Sequence, residues 1–366
     1  MQTVYVGLSG GVDSAVSAAL LKERGHNVVG AFIKIWRPEF IECTWKEDRL
    51  DAMRVAVALG IPFLEIDLSE EYKKEVVDSM VADYAKGITP NPDVLCNRHI
   101  KFGSFFTWAR ESGADFVATG HYARSTNVRP TRSNMFDLVG RTCGLLRGKD
   151  PQKDQSYFLH RLNAEDLAHI MFPMGDMQKS DVRDLAGRRR LPVAKRPDSQ
   201  GLCFLGDVSI PEFLSRFIKV TPGDVVDMRG AVVGKHDGAA LYTIGQRHGF
   251  TPYHFLHQKS GKGFTAPLYV VAIDTKANTI RVSPNREDAA VKKVNIRDMH
   301  WLQKPTLPLT ALAQTRYRET PVEVSVIEEN GAYTAHFKAP HIAAPGQSIV
   351  LYAGEQCLGG GIVALQ

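Results

Sequence analysis

The chain of 366 residues has few cysteines and no long uninterrupted apolar run. Its five cysteines, Cys43, Cys96, Cys143, Cys203 and Cys357, are odd in number and widely spaced, which argues against a structural disulfide framework. The sequence has no Cys-x-x-Cys pair and no cysteine–histidine grouping with zinc-finger spacing, so we expect no structural metal site. The cysteines are therefore either small buried side chains or reactive thiols.

Apolar segments stay well short of the about 20 residues that span a bilayer, and the N-terminus lacks the regions of a secretory signal. We therefore expect a cytoplasmic protein that makes no membrane contact. The content of 44% hydrophobic and 23% charged residues is typical of a globular protein, and the length predicts two or three domains. A net charge of +5 permits a polyanionic partner without requiring one.

The hydrophobic pattern predicts an α/β fold followed by β-rich domains. Up to about Thr119, apolar strand-like runs alternate with amphipathic helical segments, which is typical of a parallel sheet. The predicted strands are Thr3–Leu8, Asn27–Lys34, Phe63–Asp67 and Phe116–Thr119, and the predicted helices are Ala15–Glu23, Asp48–Leu59 and Tyr72–Lys86.

Further along, the spacing between Ala164 and Leu191 predicts helix, and this stretch includes Ile170 and Met171. After about Asp207, short β-rich runs separated by glycine, asparagine and proline turns predict a small central domain and a C-terminal barrel-like β domain. We place the domain boundaries at residues 1–206, 207–274 and 275–366.

A glycine-rich stretch joins the first predicted strand to the first helix, and it reads Gly7, Leu8, Ser9, Gly10, Gly11, Val12, Asp13 and Ser14. Adjacent glycines let backbone N–H groups approach an anion at a helix N-terminus. The common phosphate loop requires a lysine and a glycine spacing that are absent here. The stretch instead resembles the SGGxDS loop of the N-type ATP pyrophosphatases, which split ATP between its α- and β-phosphates and transfer AMP to an oxygen.

Two cysteines lie in segments marked by proline or glycine. Cys96 follows Asn91, Pro92 and Asp93, and we expect an exposed loop there; Cys203 lies in a second predicted loop. At both positions, the local composition fits an inert thiol as well as a reactive one. Combined with activation of an oxygen by ATP, they suggest sulfur transfer, since adenylation makes the oxygen leave and a cysteine persulfide supplies its replacement.

Eight segments together resemble the tRNA-specific 2-thiouridylases along the whole chain. They are Gly7–Ser14, Asn91–Asn97, Thr119–Arg124, Lys153–Leu159, Asp198–Gly206, Tyr242–Arg247, Arg316–Arg318 and Cys357–Gly361. The resemblance implies ATP-dependent 2-thiolation of the wobble uridine of tRNA, with Mg²⁺ accompanying the pyrophosphate. It also implies two partners, the anticodon arm of tRNA and a sulfur-relay protein or cysteine desulfurase that donates persulfide sulfur.

The resemblance assigns roles to individual residues. Cys203 carries the persulfide, Cys96 releases the sulfur or closes a transient disulfide with Cys203, and Asp93 is an acid–base partner. ATP is bound by Gly7, Leu8, Ser9, Gly10, Gly11, Val12, Asp13 and Ser14 with Ile33 and Gly120. The tRNA is contacted by Asn91, Pro92, Asp93, His121, Lys153, Asp154, Gln155, Arg316, Tyr317 and Gln347.

Two other functions fit parts of the sequence. One is an adenylating pyrophosphatase that adds nitrogen to a carboxylate or carbonyl, which needs no cysteine pair. The other is a tRNA-binding protein whose nucleotide site is degenerate, against which the intact stretch from Ser9 to Ser14 argues. For His121 alone, the sequence is equally compatible with a histidine that only stabilises a turn.

Overall fold

The computed structural model describes residues 1–40, 45–126, 143–198, 208–253 and 267–365. A parallel five-stranded sheet forms the first part of the chain, in the order β3-β2-β1-β4-β7. Its strands are β1 Thr3–Gly7, β2 Asn27–Lys34, β3 Phe63–Asp67, β4 Phe116–Ala118 and β7 Ile170–Met171. The predicted strands of this sheet are therefore present where the alternation of apolar runs places them.

Helices cover both faces of this sheet. They are α1 Val12–Glu23, α2 Trp45–Leu59, α3 Ser69–Tyr72, α4 Ser79–Ala85, α5 Pro92–Leu95, α6 Phe105–Glu111, α7 Ala164–Leu167, α8 Lys179–Arg188 and α9 Ile210–Leu214. Two π-helical segments, Lys73–Asp78 and Cys96–Ser104, join α3 to α4 and α5 to α6. Pro92 to Glu111 is thus one continuous helical stretch, which we call the catalytic helix because it contains Cys96, for which the resemblance implies a catalytic role.

The two faces of β1 enter two different hydrophobic cores, because side chains alternate along a strand. Val4 and Val6 are fully buried on one face among residues of α1 and α2. Tyr5 lies on the other face, where its ring contacts Trp108 of the catalytic helix at 5.8 Å. A strand covered on both faces needs the continuous apolar run that the sequence shows.

The central domain contains a sheet in the order β10-β9-β8-β12-β11. Its strands are β8 Gly223–Val226, β9 Val232–His236, β10 Phe250–Pro252, β11 Tyr269–Asp274 and β12 Thr279–Ser283. Short 3₁₀ turns at Ala239–Leu241 and Arg286–Ala289 flank it, and a third lies earlier at Ser156–Leu159.

The C-terminal domain is a closed antiparallel barrel. Its strands are β13 Val291–Trp301, β14 Leu309–Gln314, β15 Val322–Glu329, β16 Ala332–His341, β17 Ser348–Ala353 and β18 Gln356–Val363, and pairing of β13 with β18 closes the ring. A hairpin of the first domain, β5 Ala123–Ser125 and β6 Leu145–Arg147, continues this sheet beyond β18. The predicted α/β domain, small central domain and C-terminal barrel are confirmed.

The prediction of helix at Ile170 and Met171 is wrong, since both residues form β7 and pair with Val117 and Ala118 of β4. The local spacing of apolar side chains is overridden by the tertiary hydrogen bonds that an open sheet edge offers. In the part of the chain that the structure describes, no helix combines the length and apolarity that a membrane crossing requires.

Candidate active site

The loop between β1 and α1 has the shape of an anion cradle. Gly10 adopts a left-handed conformation with φ of 77°, which a glycine reaches without strain. Helix α1 begins after Gly11, and no side chain caps its first turn. The first backbone N–H groups of α1, together with the helix dipole, therefore suit a phosphate group.

Hydrogen bonds between Ser9 and Ser14 hold this loop in shape. Their hydroxyl oxygens lie 3.2 Å apart, and the Ser14 hydroxyl also accepts from the Ser9 N–H at 3.2 Å. The Ser9 hydroxyl accepts from the Gly11 N–H at 3.3 Å. These hydrogen bonds fix the conformation of the loop, and a fixed conformation lowers the entropic cost of binding.

Two further predicted ATP residues lie at the carboxyl ends of β2 and β4, the strands on either side of β1. Ile33 lies near the end of β2, and Gly120 lies two residues after β4. Gly120 packs so closely on the start of α1 that a Cβ atom would lie 2.8 Å from the Ser14 nitrogen. The structure thus brings Ile33, Gly120 and the loop to the edge where ligands of open α/β sheets bind.

Replacing Gly120 by alanine is expected to weaken ATP binding about tenfold or more, because the added methyl group must displace the first turn of α1. Calorimetric titration with ATP measures the effect. Gly187→Ala is the matched control, since nothing lies within 4 Å of a Cβ atom built there. Unchanged ATP affinity in Gly120→Ala would show that the close packing does not shape the cradle.

A network of charges surrounds the carboxylate of Asp13. Its Oδ1 accepts from the Tyr122 hydroxyl at 2.9 Å and from Lys179 Nζ at 2.6 Å. Lys179 Nζ also lies 2.9 Å from Oδ1 of Asp198. The same carboxylate is contacted by Lys153, whose Nζ lies 2.8 Å from Oδ2, and by Arg183. Three cations therefore meet next to the loop that suits a phosphate.

The charge state of Asp198 follows from this network. Burial by itself raises the pKa of Asp198, but the hydrogen bonds from Lys153 and Lys179 outweigh it and hold the pKa well below its usual range. Asp198 is therefore ionised at neutral pH and neutralises part of the cationic cluster. A polyphosphate entering the loop offers the same cations a second set of anionic oxygens.

Sequence reasoning missed Lys179 and Arg183, which lie on α8 about 170 residues after the loop. One signal was available, since Lys179 is the first residue of its helix, where the helix dipole disfavours a cation. A lysine at such a position is explained by anionic side chains that the fold brings close to it, here Asp13 and Asp198.

Arg196 fixes the loop from the opposite side. Its Nη1 donates to the carbonyl oxygen of Gly10 at 3.1 Å and to Asp51 at 2.8 Å, and its Nη2 contacts Asp48. Asp48 and Asp51 belong to α2, so the arginine ties the glycine turn to the helix beside it.

The segment around Cys96 is helical, so the prediction of an exposed loop there is wrong. Asn91 caps the catalytic helix by accepting from the Val94 N–H at 3.3 Å, and Pro92 occupies the first helical position. Asparagine before proline is a signal for the start of a helix. The prediction of a loop took the two prolines into account but not this signal. The Cys96 side chain is only 8% exposed and packs in the hydrophobic core that also contains Tyr5.

Asp93, Lys101 and His121 share one electrostatic environment. Burial raises the pKa of Asp93, and the charge of Lys101 partly opposes that rise. Burial, with a smaller contribution from Lys101, holds the pKa of His121 well below its usual value, so its imidazole is neutral. His121 bonds to Thr119 at 2.7 Å and packs against Phe102 of the catalytic helix, which connects β4 to the residues around Cys96.

Along the catalytic helix, Trp108 contacts Tyr5 in the middle of β1 and Phe105 lies beside Gly7 at the carboxyl end of that strand, so the first turn of the helix lies toward the carboxyl edge of the sheet. Phe105 lies 3.6 Å from the position of a Cβ atom on Gly7. The structure thus places Asp93 and Cys96 toward the same edge as the loop Gly7–Ser14, which we call the phosphate loop. Sequence reasoning did not single out Lys101, whose charge acts on both Asp93 and His121.

All three domains meet at the start of the catalytic helix. Gln347 of the barrel donates to the carbonyl oxygens of Thr89 at 2.9 Å and Pro90 at 3.1 Å. Thr243 of the central domain bonds to the Thr89 hydroxyl at 2.9 Å. The buried Tyr157 hydroxyl lies 3.1 Å from the Ser348 carbonyl and is bonded by the Asn91 side chain. Gln347 therefore holds Asn91 and Pro92 in place.

The other predicted tRNA residues occupy different environments. Asp154 is buried and accepts from the Gly148 N–H, the Ser156 N–H and hydroxyl, and Arg147. Gln155 accepts from the Tyr122 N–H at 3.0 Å. Arg316 donates to the Ile244 carbonyl at 2.6 Å, and Tyr317 packs on Phe158 with ring centres 4.4 Å apart. Lys153 is connected to Asp13 of the loop through Asp198 and Lys179.

The persulfide residue predicted from the sequence, Cys203, lies outside the described residues, and so does Cys43. Cys143 and Cys357 belong to the region where β5, β6 and the barrel meet, and burial raises the pKa of both thiols, that of Cys357 to about 12. Both are therefore protonated at neutral pH.

Comparison with known proteins matches three family models in succession. Residues 2–207 match the tRNA methyl transferase HUP domain, residues 211–284 the tRNA methyl transferase PRC-barrel domain, and residues 291–363 the aminomethyltransferase beta-barrel domain. The chain is 42% identical to the tRNA-specific 2-thiouridylase MnmA of Acidovorax ebreus, over 99% of this chain and 98% of that protein. It is 40% identical to the tRNA-specific 2-thiouridylase MnmA 2 of Geobacillus kaustophilus, over 98% of this chain and 94% of that protein.

Among solved structures, a 4-thiouridine synthetase in complex with RNA and bound ATP is 17% identical, with a TM-score of 0.33 over 59% of this chain and 50% of that chain.

Proposed function

The chain belongs to the family of tRNA-specific 2-thiouridylases, and from this premise we propose that it carries out ATP-dependent 2-thiolation of the wobble uridine of tRNA. The arrangement at the carboxyl edge of the first sheet supports this activity best. The phosphate loop and the beginning of the catalytic helix, which carries Asp93 and Cys96, lie toward that one edge. A nucleotide and a base can therefore be held next to each other there.

The chemistry replaces a carbonyl oxygen by sulfur in three steps. The uridine oxygen attacks the α-phosphorus of ATP, which releases pyrophosphate and leaves AMP on that oxygen. The terminal sulfur of a Cys203 persulfide then attacks the base carbon, and AMP leaves with the oxygen. Attack of the Cys96 thiolate on the Cys203 sulfur releases 2-thiouridine and forms a disulfide between the two cysteines, which a cellular thiol reductant must then open.

The residues at the phosphate loop suit ATP and Mg²⁺. Lys179, Lys153 and Arg183 supply positive charge for the phosphates, and the Gly10 turn with the first N–H groups of α1 supplies hydrogen-bond donors. Mg²⁺ prefers carboxylate and phosphate oxygens, and Asp13 is the carboxylate of this loop. Asp13 would hold the metal, which would supply positive charge against the pyrophosphate.

Anticodon-loop bases are already partly unstacked, so a uridine can turn out of the loop into the site at modest cost. Asn91, Pro92 and Asp93 at the helix start meet this base, and Lys153, Gln155, Arg316 and Tyr317 flank the path of the RNA. His121, Asp154 and Gln347 act on the RNA through the elements they hold in place. A cysteine desulfurase or sulfur-relay protein loads Cys203, and the reaction takes place in the cytoplasm.

The proposed function is tested with the purified chain, ATP, Mg²⁺, unmodified tRNA and a persulfide donor. We expect tRNA-dependent release of pyrophosphate and 2-thiouridine in the digested RNA by mass spectrometry. Pyrophosphate release stimulated by an amino acid or ammonia instead would identify an adenylating enzyme that adds nitrogen. Binding of tRNA with no ATP cleavage in the presence of the donor would identify a binding protein.

Replacing Asp93 by asparagine is expected to lower the thiolation rate about 10²- to 10⁴-fold, because the variant loses an acid–base group. Burial raises the pKa of Asp93, so the wild-type rate should rise with pH through a value above the ordinary 3.8 of a carboxyl group. The variant should lose this acidic limb of the pH–rate profile. A wild-type rate and an unchanged limb in the variant would rule out the assignment.

The same substitution should not destabilise the fold at neutral pH. A carboxyl group whose pKa is raised on folding binds its proton more tightly in the folded state, so its contribution to stability falls as pH rises from 3.8 through the raised pKa. Asparagine carries no charge, so the variant does not lose this stability as the pH rises. Thermal unfolding measures it, and Asp176→Asn, whose side chain is 79% exposed, is the control.

A further inference from the structure

A second cleft, of about 630 Å³, lies away from the phosphate loop. It runs between α3, the catalytic helix and residues 161–163, and its lining includes no residue of the phosphate loop and none of the predicted site residues. Its volume is within the range typical of small-molecule sites. Arg98 follows Cys96 by two positions, and at helical spacing it therefore points to a different side of the helix.

Two guanidinium groups at this cleft have no anionic partner within the described ranges. Neither Arg98 nor Arg161 forms an ion pair there, and the Nε of Arg161 is buried without a hydrogen-bond acceptor. Burial and the nearby charges of Arg98 and Arg297 lower the pKa of Arg161, although Asp298 opposes them. Buried donors without an acceptor are rare in folded proteins, and a guanidinium group is suited to bind a phosphate.

The remaining walls of the cleft offer other kinds of contact. Trp108 lines the cleft with a partly buried aromatic ring, on which a base can stack, whereas the ring of Phe102 is buried against His121 and Phe172. The carboxylates of Glu71 and Glu111 accept hydrogen bonds, and the hydroxyl group of Thr107 can donate or accept one. A simple inorganic anion would be repelled by the two carboxylates, whereas a nucleotide has a phosphate for the arginines and hydroxyl or amine donors for the glutamates.

We propose that this cleft is a second nucleotide site, in which Arg98 and Arg161 bind the phosphate and Trp108 contacts the base. The nucleotide is either free or part of an RNA chain. In the second case the inference rests on the proposed function, because the RNA is then the tRNA substrate, and the cleft holds a nucleotide outside the one that is modified.

Uridine monophosphate is the probe for a free nucleotide, with the fluorescence of Trp108 as the readout. We expect saturable quenching that disappears in Trp108→Phe. Arg161→Gln and Arg98→Gln should each weaken binding about tenfold or more, since each removes a charged hydrogen-bond donor. Arg98 is exposed, so its variant keeps the fold even if Arg161→Gln does not. Arg229→Gln, at an exposed turn, is the control.

The RNA source is tested by binding of unmodified tRNA at several salt concentrations without ATP. If the cleft holds an RNA phosphate, Arg98→Gln weakens tRNA binding and lowers the slope of log K against log salt by about 0.7 to 0.9. Loss of mononucleotide binding with unchanged tRNA binding assigns the cleft to a free nucleotide. No quenching in the wild type together with unchanged tRNA binding in both arginine variants would overturn the proposal. Neither readout requires turnover, so failure of thiolation is a separate result.

Discussion

Replacing Cys96 by serine is expected to lower 2-thiouridine formation by about 10³-fold or more, while tRNA-dependent release of pyrophosphate continues. Cys96 lies in the catalytic helix behind the Asn91 cap, close to Asp93 in sequence and 8% exposed. A serine hydroxyl has almost the same volume, so the helix and its packing should persist. It does not attack a sulfur atom as a thiolate does, so only the last step of the reaction, the release of 2-thiouridine from Cys203, should stop.

Both products are measured in the same reaction, pyrophosphate by a coupled assay and 2-thiouridine by mass spectrometry. Cys143→Ser is the control, because this thiol lies beside the β5–β6 hairpin and takes no part in the proposed chemistry. Cys203→Ser should match Cys96→Ser and also fail to accept labelled sulfur from the donor. Wild-type thiolation in Cys96→Ser would remove the proposed role of this cysteine.

Replacing Lys179 by alanine is expected to lower pyrophosphate release and thiolation together by about 10²-fold. Its ammonium group lies 2.6 Å from Asp13 and 2.9 Å from Asp198, and its side chain is only 13% exposed. Without it, two carboxylates beside the phosphate loop lose a shared cation, and an incoming polyphosphate meets more negative charge. The defect should therefore appear in ATP affinity as well as in rate.

Calorimetric titration with ATP and the pyrophosphate assay measure the two effects of this change. Lys338→Ala, which removes an exposed ion pair with Glu323, should alter neither. Lys179→Arg keeps the charge with a different shape, and partial recovery there would separate the loss of charge from the loss of geometry. An alanine variant with normal ATP affinity and normal pyrophosphate release would exclude Lys179 from the site.

The two substitutions act on different halves of the reaction. The cysteine variant should separate pyrophosphate release from thiolation, whereas the lysine variant should reduce both equally. If both variants lost only thiolation, the charged network around Asp13 would serve the sulfur step and the assignment of the phosphate loop would have to change.

Local sequence determined most of the elements of this protein. The apolar run at β1, the glycine turn after it and the helix start at Val12 are each set by residues close together in the chain. The same holds for strands such as Val232–His236 and Thr279–Ser283, whose alternation and flanking turns indicate their bounds. The phosphate loop was predictable because its function depends on backbone conformation, which glycine and serine residues control locally.

Tertiary structure alone decided which distant side chains meet. Lys179 reaches Asp13, Gln347 reaches Thr89 and Pro90, and Ile170 joins the sheet as a strand because partners from elsewhere in the chain satisfy their charges and hydrogen bonds. Charge and hydrogen-bond partners are fixed by distances of a few ångströms in space, which spacing along a sequence does not encode. The sequence by itself therefore determined the chemistry that the loop and the cysteines can support, and the fold decided which cations, caps and barrel contacts surround them.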